Sequence, residues 1–342
     1  MAFRIDQLDP TTERDVAETA ALLTAYWREV LGDDEPATSP AELRDGMRLD
    51  RPDIDHRIFV ARTDTGAAVG FARIDVRTGH GNEHMAWIED LYVLPAHRRH
   101  GTGRRLLDVL TAVARERGRT LVIGGYHEEG RDGEAFAKAV GASPGQRERQ
   151  NRVRVADLDR ALLERWVADA AATEAEGYSL VTFDDRCPDE LLEAVVRAAK
   201  AMNDAPRTDK LDDWVFTADH HRATEAERAK AGITYWYVGV RHDATGEIAG
   251  YSEMDWRPDK PWLVEQGDTG VVAAHRGHGI GRWVKAVNAL RVLDERPDAV
   301  VIETWNDGTN KWMLAINDAM GFRPAATWVE AELDLTETTP AS

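Results

Sequence analysis

Apolar residues recur along this chain with two alternating periods. Near the N-terminus Leu22, Leu23, Tyr26, Trp27 and Val30 share one face of a helix expected over 15–31. "FVARTDTGAAVGF" (59–71) then places β-branched and aromatic residues on either side of a glycine-containing turn, the pattern of a hairpin. A strand, a glycine-rich turn and a second helix follow. That helix carries Leu106, Leu107, Leu110 and Val113 at helical spacing. "TLVIGGY" (120–126) reads as a strand, another helix comes next, and "NRVRVADLD" (151–159) closes the series. The order then repeats. A helix over 188–202 presents Leu191, Leu192, Val195 and Val196, and "VGVRHDATGEIAGY" (238–251) is a second hairpin. Trp283, Val287 and Leu290 mark the helix after a second turn, "AVVIETW" (299–305) is a strand, and "TWVEAELDL" (327–335) closes.

The repetition extends to the residues themselves. "EDLYVLPAHRRHGTGR" (89–104) aligns with "GDTGVVAAHRGHGIGR" (267–282), sharing Asp90/Asp268, Val93/Val271, His97/His275, Arg98/Arg276, Gly101/Gly279 and Gly103/Gly281. Matched blocks in one order, so far apart, mean duplication of a whole domain, not a short-period solenoid. The 342 residues suit two domains of ordinary size. The predicted division is a first domain over 1–160, a linker helix over 161–176, and a second domain over 177–342. Leu158, Leu162, Leu163 and Trp166 line one side of the joining helix, and the Ala/Glu-rich stretch ending at Gly177 sets the boundary.

The turn is where chemistry enters. Two glycines spaced by one residue, just before a helix, let the backbone adopt positive φ and approach a ligand closely. Amides of such a turn converge at the positive end of the helix dipole and make an anion site suited to a pyrophosphate. Arg98, Arg99 and Arg276 add positive charge. A dinucleotide fingerprint would need a third glycine where Leu106 and Val284 stand, and a P-loop would end in Gly-Lys-Ser/Thr, which neither turn does.

Strand, Arg-x-x-Gly-x-Gly, helix, then strand, helix and a final Gly-Phe resembles the GCN5-related N-acetyltransferase (GNAT) family. "VVAAHRGHGIG" (271–281) and "MLAINDAMGF" (313–322) carry the likeness best, and it covers both halves. The resemblance implies a mixed α/β fold of two tandem domains. In each, a mostly antiparallel sheet is flanked by helices, and its central strands splay to admit the pantetheine arm of acetyl-CoA. It implies cofactor contacts at Leu91, Tyr92 and Val93 with Arg98, Arg99, His100, Gly101, Thr102, Gly103 and Arg104. In the second copy these become Thr269, Gly270 and Val271 with Arg276, Gly277, His278, Gly279, Ile280, Gly281 and Arg282. It also implies direct attack of an amine on the thioester, with a strand amide near Val271 steadying the developing oxyanion.

An alkyl amine of pKa about 10.4 is mostly protonated at neutral pH, so the site needs a base. Glu265, six residues before Val271, stands where some family members carry a catalytic glutamate, and Asp268 is the second candidate. The first copy has Trp87 at the matching place, leaving Glu89 and Asp90. The tyrosine that often donates the thiol proton is replaced by Ala137 and Asn317. Asn306 and Asn310 in "WNDGTN" are candidates to hold the cofactor arm. The second domain is therefore the expected catalyst, and the first binds cofactor idly or serves as scaffold.

A net charge of −18 argues against nucleic acid and an anionic membrane surface, and favours a cationic acceptor. Asp204, Asp209, Asp212 and Asp213, between the opening helix and hairpin of the second copy, are candidates to attract it. Cys187 is the only cysteine, and no signal peptide or membrane span is evident, so a cytoplasmic location is the expectation. His127-Glu128-Glu129 and His220-His221 lack any metal-ligand spacing, so no metal is expected. The reading is an acetyl-CoA-dependent N-acetyltransferase of a small primary amine. A non-catalytic acyl-CoA-binding module and a protein N-terminal or lysine acetyltransferase are the alternatives.

Overall fold

The computed structural model describes residues 3–47 and 53–336. Two compact units emerge. The first runs through Glu148 and takes in Thr208–Asp212 and the chain from Ala326 onward; the second comprises Arg149–Arg207 and Asp213–Ala325. Each unit contains a short strand before its first long helix, Phe3–Gln7 and Tyr178–Asp184, that the sequence pattern does not show.

In the first unit β1 (Phe3–Gln7) leads to α1 (Glu13–Leu31) and α2 (Pro40–Met47). The hairpin β2 (Ile54–Thr63) and β3 (Ala68–Arg77) follows, then β4 (Met85–Val93), α3 (Thr102–Glu116), β5 (Leu121–His127) and α4 (Arg131–Val140). Alternation decides the faces. Phe59 and Ala61 of β2 pack with Leu106, Leu110 and Val113 of α3, while Ile58 and Val60 pack with Val16 and Ala20 of α1. Truncating a core leucine such as Leu110 to alanine would cost roughly 2–5 kcal/mol.

The chain continues through β6 (Ser143–Arg154) into α5 (Arg160–Asp169) and α6 (Ala171–Ala175). The second unit then repeats the plan with β7 (Tyr178–Asp184), α7 (Asp189–Ala199) and α8 (Ala218–Ala231). Its hairpin is β8 (Thr234–His242) and β9 (Glu247–Trp256), followed by β10 (Leu263–Val271), α9 (Ile280–Glu295), β11 (Val301–Asp307) and α10 (Lys311–Ala319). Trp236 and Met254 face α9, whereas Tyr235, Tyr237 and Tyr251 face α7.

The closing strands correct the sequence reading. The final strand, β12 (Arg323–Asp334), pairs antiparallel with β5 of the first unit, from Trp328↔His127 to Asp334↔Leu121. Within the first unit the strands thus run in the order β1-β2-β3-β4-β5-β12, and within the second β6-β11-β10-β9-β8-β7. The division at 1–160, 161–176 and 177–342 therefore misplaces residues 149–160 and the closing strand from Ala326 onward. The segment Thr208–Asp212 also belongs to the first unit. The Asn82 side chain donates to the Asp212 carbonyl at 3.1 Å and accepts from its amide at 2.6 Å.

Candidate active site

In both units one parallel strand pair opens. β4 and β5 pair only over Met85↔Leu121 to Trp87↔Ile123, and β10 and β11 only over Leu263↔Val301 to Glu265↔Glu303. A bulge follows in each first strand, between Ile88 and Asp90 and between Gln266 and Thr269. Beyond it the strand turns its outer edge to the gap. The Val272 amide donates to Ala249 on the β9 side, so by alternation Val271 directs its N–H and C=O into the gap. The Val271 carbonyl there accepts from Arg276 Nε at 3.1 Å. Val93 and Arg98 repeat this at 2.9 Å.

The turns have the backbone that the glycine spacing implied. Gly277 and Gly279 have φ of 91° and 75°, and Gly279 is the N-cap of α9. In the first unit Arg99 and Gly101 occupy the same conformations, φ 64° and 82°. Alternating left- and right-handed residues make a concavity of amides. The second glycine has another purpose. Gly281 lies in the first turn of α9, where a Cβ would sit 3.4 Å from Ile316, and Gly103 faces Phe136 in the same way. These two serve helix packing.

Several expected contacts are spent elsewhere. Arg98 holds Val93, Asp132 and Glu29, and Arg276 holds Val271 and Asp204 at 2.6 Å, so both brace the turn. Arg104 caps α4 through the Ala139 carbonyl, and Arg282 lies over the Trp166 ring. His100 bonds the Arg98 carbonyl and His278 bonds Glu176. Thr102 and Ile280 are buried, and Leu91 packs near Gly103. Tyr92 donates to Glu29 at 3.0 Å, and desolvation with that carboxylate pushes its pKa up to about 12. Thr269 bonds the Ser252 hydroxyl, and Gly270 leaves room for the Tyr251 ring. Asn310 is the N-cap of α10 and accepts from the Met313 amide, so its side-chain oxygen is committed to the helix. Asn306 accepts from Asn151 at 3.3 Å and Asn317 at 2.7 Å, and the buried Asn317 keeps an unbonded carbonyl oxygen. The acidic loop is likewise tied. Asp204 pairs with Arg276, Asp213 with Arg207, and Asp212 lies by His84.

The acidic face lies instead on the second sheet, where sequence reasoning saw only part of it. Asp255 pairs in register with Tyr235 on one side and Glu265 on the other, and Glu265 with Glu303. Residues directly opposite share a face. Two residues along, Glu253 pairs with Tyr237, and the Gly267–Asp268 bulge lies beside it. Glu265 keeps solvent access, yet protein crowds its carboxylate. Desolvation first, then Asp255 and Glu303, push its pKa up to about 7. Desolvation and then Asp268 push Glu253 up to about 7, and desolvation raises Asp268. Glu303 is held by Arg152 at 2.5 Å and by Gln150 at 2.9 Å.

The first unit carries the opposite arrangement. Arg73 pairs with Asp90 at 2.8 Å, His56 with Asp75, and Arg77 lies over Trp87. Glu89, the other candidate base there, lies 3.7 Å from Arg77, and desolvation first, then Asp75, raises its pKa. An aromatic chain also runs from Tyr92 through Tyr26 to Trp328 and His127, at ring separations of 5.4, 6.2 and 5.8 Å, from β4 to β5 where these strands part. The described residues contain no group of ligands fit for a metal ion and no helix long and apolar enough to cross a membrane.

Comparison with known proteins bears on the fold. The family model for acetyltransferases of the GNAT family matches residues 20–129. A tandem GNAT protein from the clavulanic acid biosynthesis pathway, solved without acetyl-CoA, is 26% identical with a TM-score of 0.78; the match covers 99% of this chain and 100% of that one. The chain thus carries a match to the GNAT family over residues 20–129 and resembles a tandem GNAT protein over its whole length. A GCN5-related N-acetyltransferase from Sphaerobacter thermophilus shares the fold at 17% identity and TM-score 0.71, covering 97% of this chain and 96% of that one. So does a GCN5-related glucosamine N-acetyltransferase region of a fungal multi-domain β-N-acetylglucosaminidase, at 16% identity and TM-score 0.67, covering 97% of this chain and 38% of that one. No curated protein matches the chain in sequence. The GNAT fold is one of acyl transfer, and the family generally uses acetyl-CoA.

Proposed function

We propose that the second unit is an acetyl-CoA-dependent N-acetyltransferase acting on a small cationic amine. The observation that carries this reading is Glu265, on the last paired rung before β10 and β11 part, with its pKa pushed up to about 7. A base of that pKa takes protons near neutrality while remaining substantially ionised. The cradle fits the donor: the left-handed Gly277 and Gly279 shape an amide concavity for a diphosphate, and the gap edge offers the Val271 N–H to an amide-bearing arm.

Acetyl-CoA supplies the acyl group as a thioester. Glu265 removes a proton from the bound ammonium. The freed nitrogen forms the N–C bond as the C–S bond breaks, coenzyme A leaves as a thiolate, and the second proton lost by the nitrogen passes to that thiolate or to water. The Val271 N–H is placed to donate to the oxygen on which charge builds, a contribution of roughly 3–4 kcal/mol in comparable sites. The buried Asn317 amide occupies the position of the usual tyrosine. It cannot donate a full proton, and a thiolate of pKa about 8.5 leaves without much need of one. The paired acids and aromatic chain of the first unit favour a non-catalytic role there.

The test is release of free thiol from acetyl-CoA by the full chain over a panel of small amines. Amine-dependent release supports the reading. Release with peptides and none with small amines would favour the protein-acetylating alternative. Tight acetyl-CoA binding with no release over the whole panel would favour the non-catalytic one.

A further inference from the structure

We propose that Lys285 is the acid that protonates the departing sulfur of coenzyme A, in place of the tyrosine that Asn317 replaces; this rests on the reading of the second unit as an acetyltransferase. Lys285, in α9, is 1% exposed. No described residue gives it a hydrogen bond or an ion pair, and Nζ lies 5.6 Å from the centre of the Phe322 ring. A buried ammonium without a partner costs stability, and lysine is almost never fully buried unless paired.

Its place in the helix aims it. Gly281 and Lys285 are one turn apart on the same side of α9. A Cβ on Gly281 would meet Ile316 of α10 at 3.4 Å and Val271 of β10 at 3.7 Å, so this side looks between α10 and the open edge of β10. Long helical side chains lean toward the N-terminus of their helix, which carries the Lys285 stem toward that space. The Phe322 amide donates to the Asn317 carbonyl at 3.0 Å, so Phe322 links the ammonium to the residue at the tyrosine position. On the acetyltransferase reading, the arm of the donor runs from the Gly277–Gly279 cradle along the Val271 edge and over this space.

The surroundings are polar by construction. Asn288, three residues on from Lys285, donates to the Ser252 carbonyl at 3.0 Å. Gln266 donates to the Ser252 hydroxyl at 2.9 Å and to the Glu253 carbonyl at 2.6 Å. Those carbonyls fix which end of each amide is nitrogen, and the side-chain oxygens of Asn288, Gln266 and Asn317 are left buried without a donor. The first unit has Leu107 for Lys285, Leu110 for Asn288, Ile88 for Gln266, Ala72 for Ser252 and Ala137 for Asn317. Ala72, Ile88 and Leu110 there share one apolar core. The two units thus share the turn and differ in what lies beneath the gap.

Desolvation pushes the Lys285 ammonium down to about 7, which makes it a stronger acid than a thiol of about 8.5. A thiolate released into water needs little help, whereas one released among buried groups is costly without a donor. As the C–S bond breaks, the sulfur takes a proton from Nζ. An N–H bond breaks, an S–H bond forms, and neutral Lys285 regains a proton from water.

The full chain and its Lys285→Met variant are titrated calorimetrically with coenzyme A and with desulfo-coenzyme A, which lacks the sulfur. Lys285→Leu, the residue of the first unit, serves if the methionine variant does not fold. Loss of the sulfur should weaken binding to the parent by about tenfold or more and to the variant by less than about threefold. The variant should also melt higher, because the unpaired amine is gone, and transfer acetyl about tenfold or more slowly at saturating acetyl-CoA. Equal dependence on the sulfur in both chains, or a lower Tm in the variant, overturns the inference. Sulfur-dependent binding that the variant loses, with no acetyl transfer to any amine, sinks the catalytic reading and keeps the contact. Equal transfer rates in both chains sink the acid alone, and no binding of coenzyme A removes both.

Discussion

A carboxylate on a strand usually titrates near 4.3, and Glu265 departs from that because of its neighbours. Crowding by protein removes water from it, and Asp255 and Glu303 across the adjacent strands repel its charge. The same pressure sets its pH behaviour. As a base Glu265 works only when ionised, so kcat/KM should rise with pH through about 7. Glu265→Gln should lower kcat/KM by about 100-fold and abolish that limb, whereas Asp90→Asn, in the first unit, should change little. Stability runs the other way. The folded protein binds this proton more tightly than the unfolded chain, so the favourable contribution is present at low pH and lost as pH rises from the usual carboxylate range through 7. The Gln variant escapes that loss, and its Tm relative to the parent should be higher at pH 8 than at pH 5. A pH–rate profile unchanged by the substitution would remove Glu265 as the base. The sequence pointed to Glu265 through its distance from Val271. It could not reveal Asp255 and Glu253, which lie on a different strand. Their alternation with Tyr251 in "YSEMD" was a signal, but it gains meaning only once β9 is seen between β8 and β10.

At the scale of elements, the turn was the most legible feature, because positive φ leaves a chemical trace in glycine. Its arginines were less legible. An arginine beside a phosphate cradle reads as a ligand, yet Arg98 and Arg276 each span from a strand carbonyl to an acidic side chain. Asn310 carries a second demand, since a helix cap and a ligand contact call for the same amide. Helix α8 escaped notice because "ADHHRATEAERAKA" has no apolar stripe. It is held by the Thr217 cap and by ion pairs such as Arg222–Glu225, and it delivers Arg228 to the acidic face. The turn itself can be tested. Gly279→Val forces a β-branched residue into left-handed backbone, at about 1–2 kcal/mol, while its Cβ meets open space. Affinity for coenzyme A measured by calorimetry should fall by about tenfold or more, and Gly279→Asn, which tolerates that conformation better, should lose less. Full affinity in the valine variant would refute the cradle.

At the scale of the whole chain, duplication was plain from the paired blocks, but the exchange of closing strands was not. "NRVRVADLD" and "TWVEAELDL" resemble one another, so periodicity cannot say which closes which sheet. The structure gives β12 to β5, with register from Trp328 to Asp334, and puts residues 149–154 beside β11. The fold of the first unit therefore depends on residues some two hundred positions downstream of its helix α3. Ala331, opposite Gly124 in this register, is a point at which to break the pairing. Proline there removes a backbone donor and does not fit a paired strand. Amide exchange of Leu121–His127 should then accelerate by about tenfold or more, as expected when a ladder bond and its neighbours open. Had the second half closed its own sheet, the substitution would expose Val301–Asp307 and leave Leu121–His127 protected. Exchange measured strand by strand on the full chain distinguishes the two outcomes.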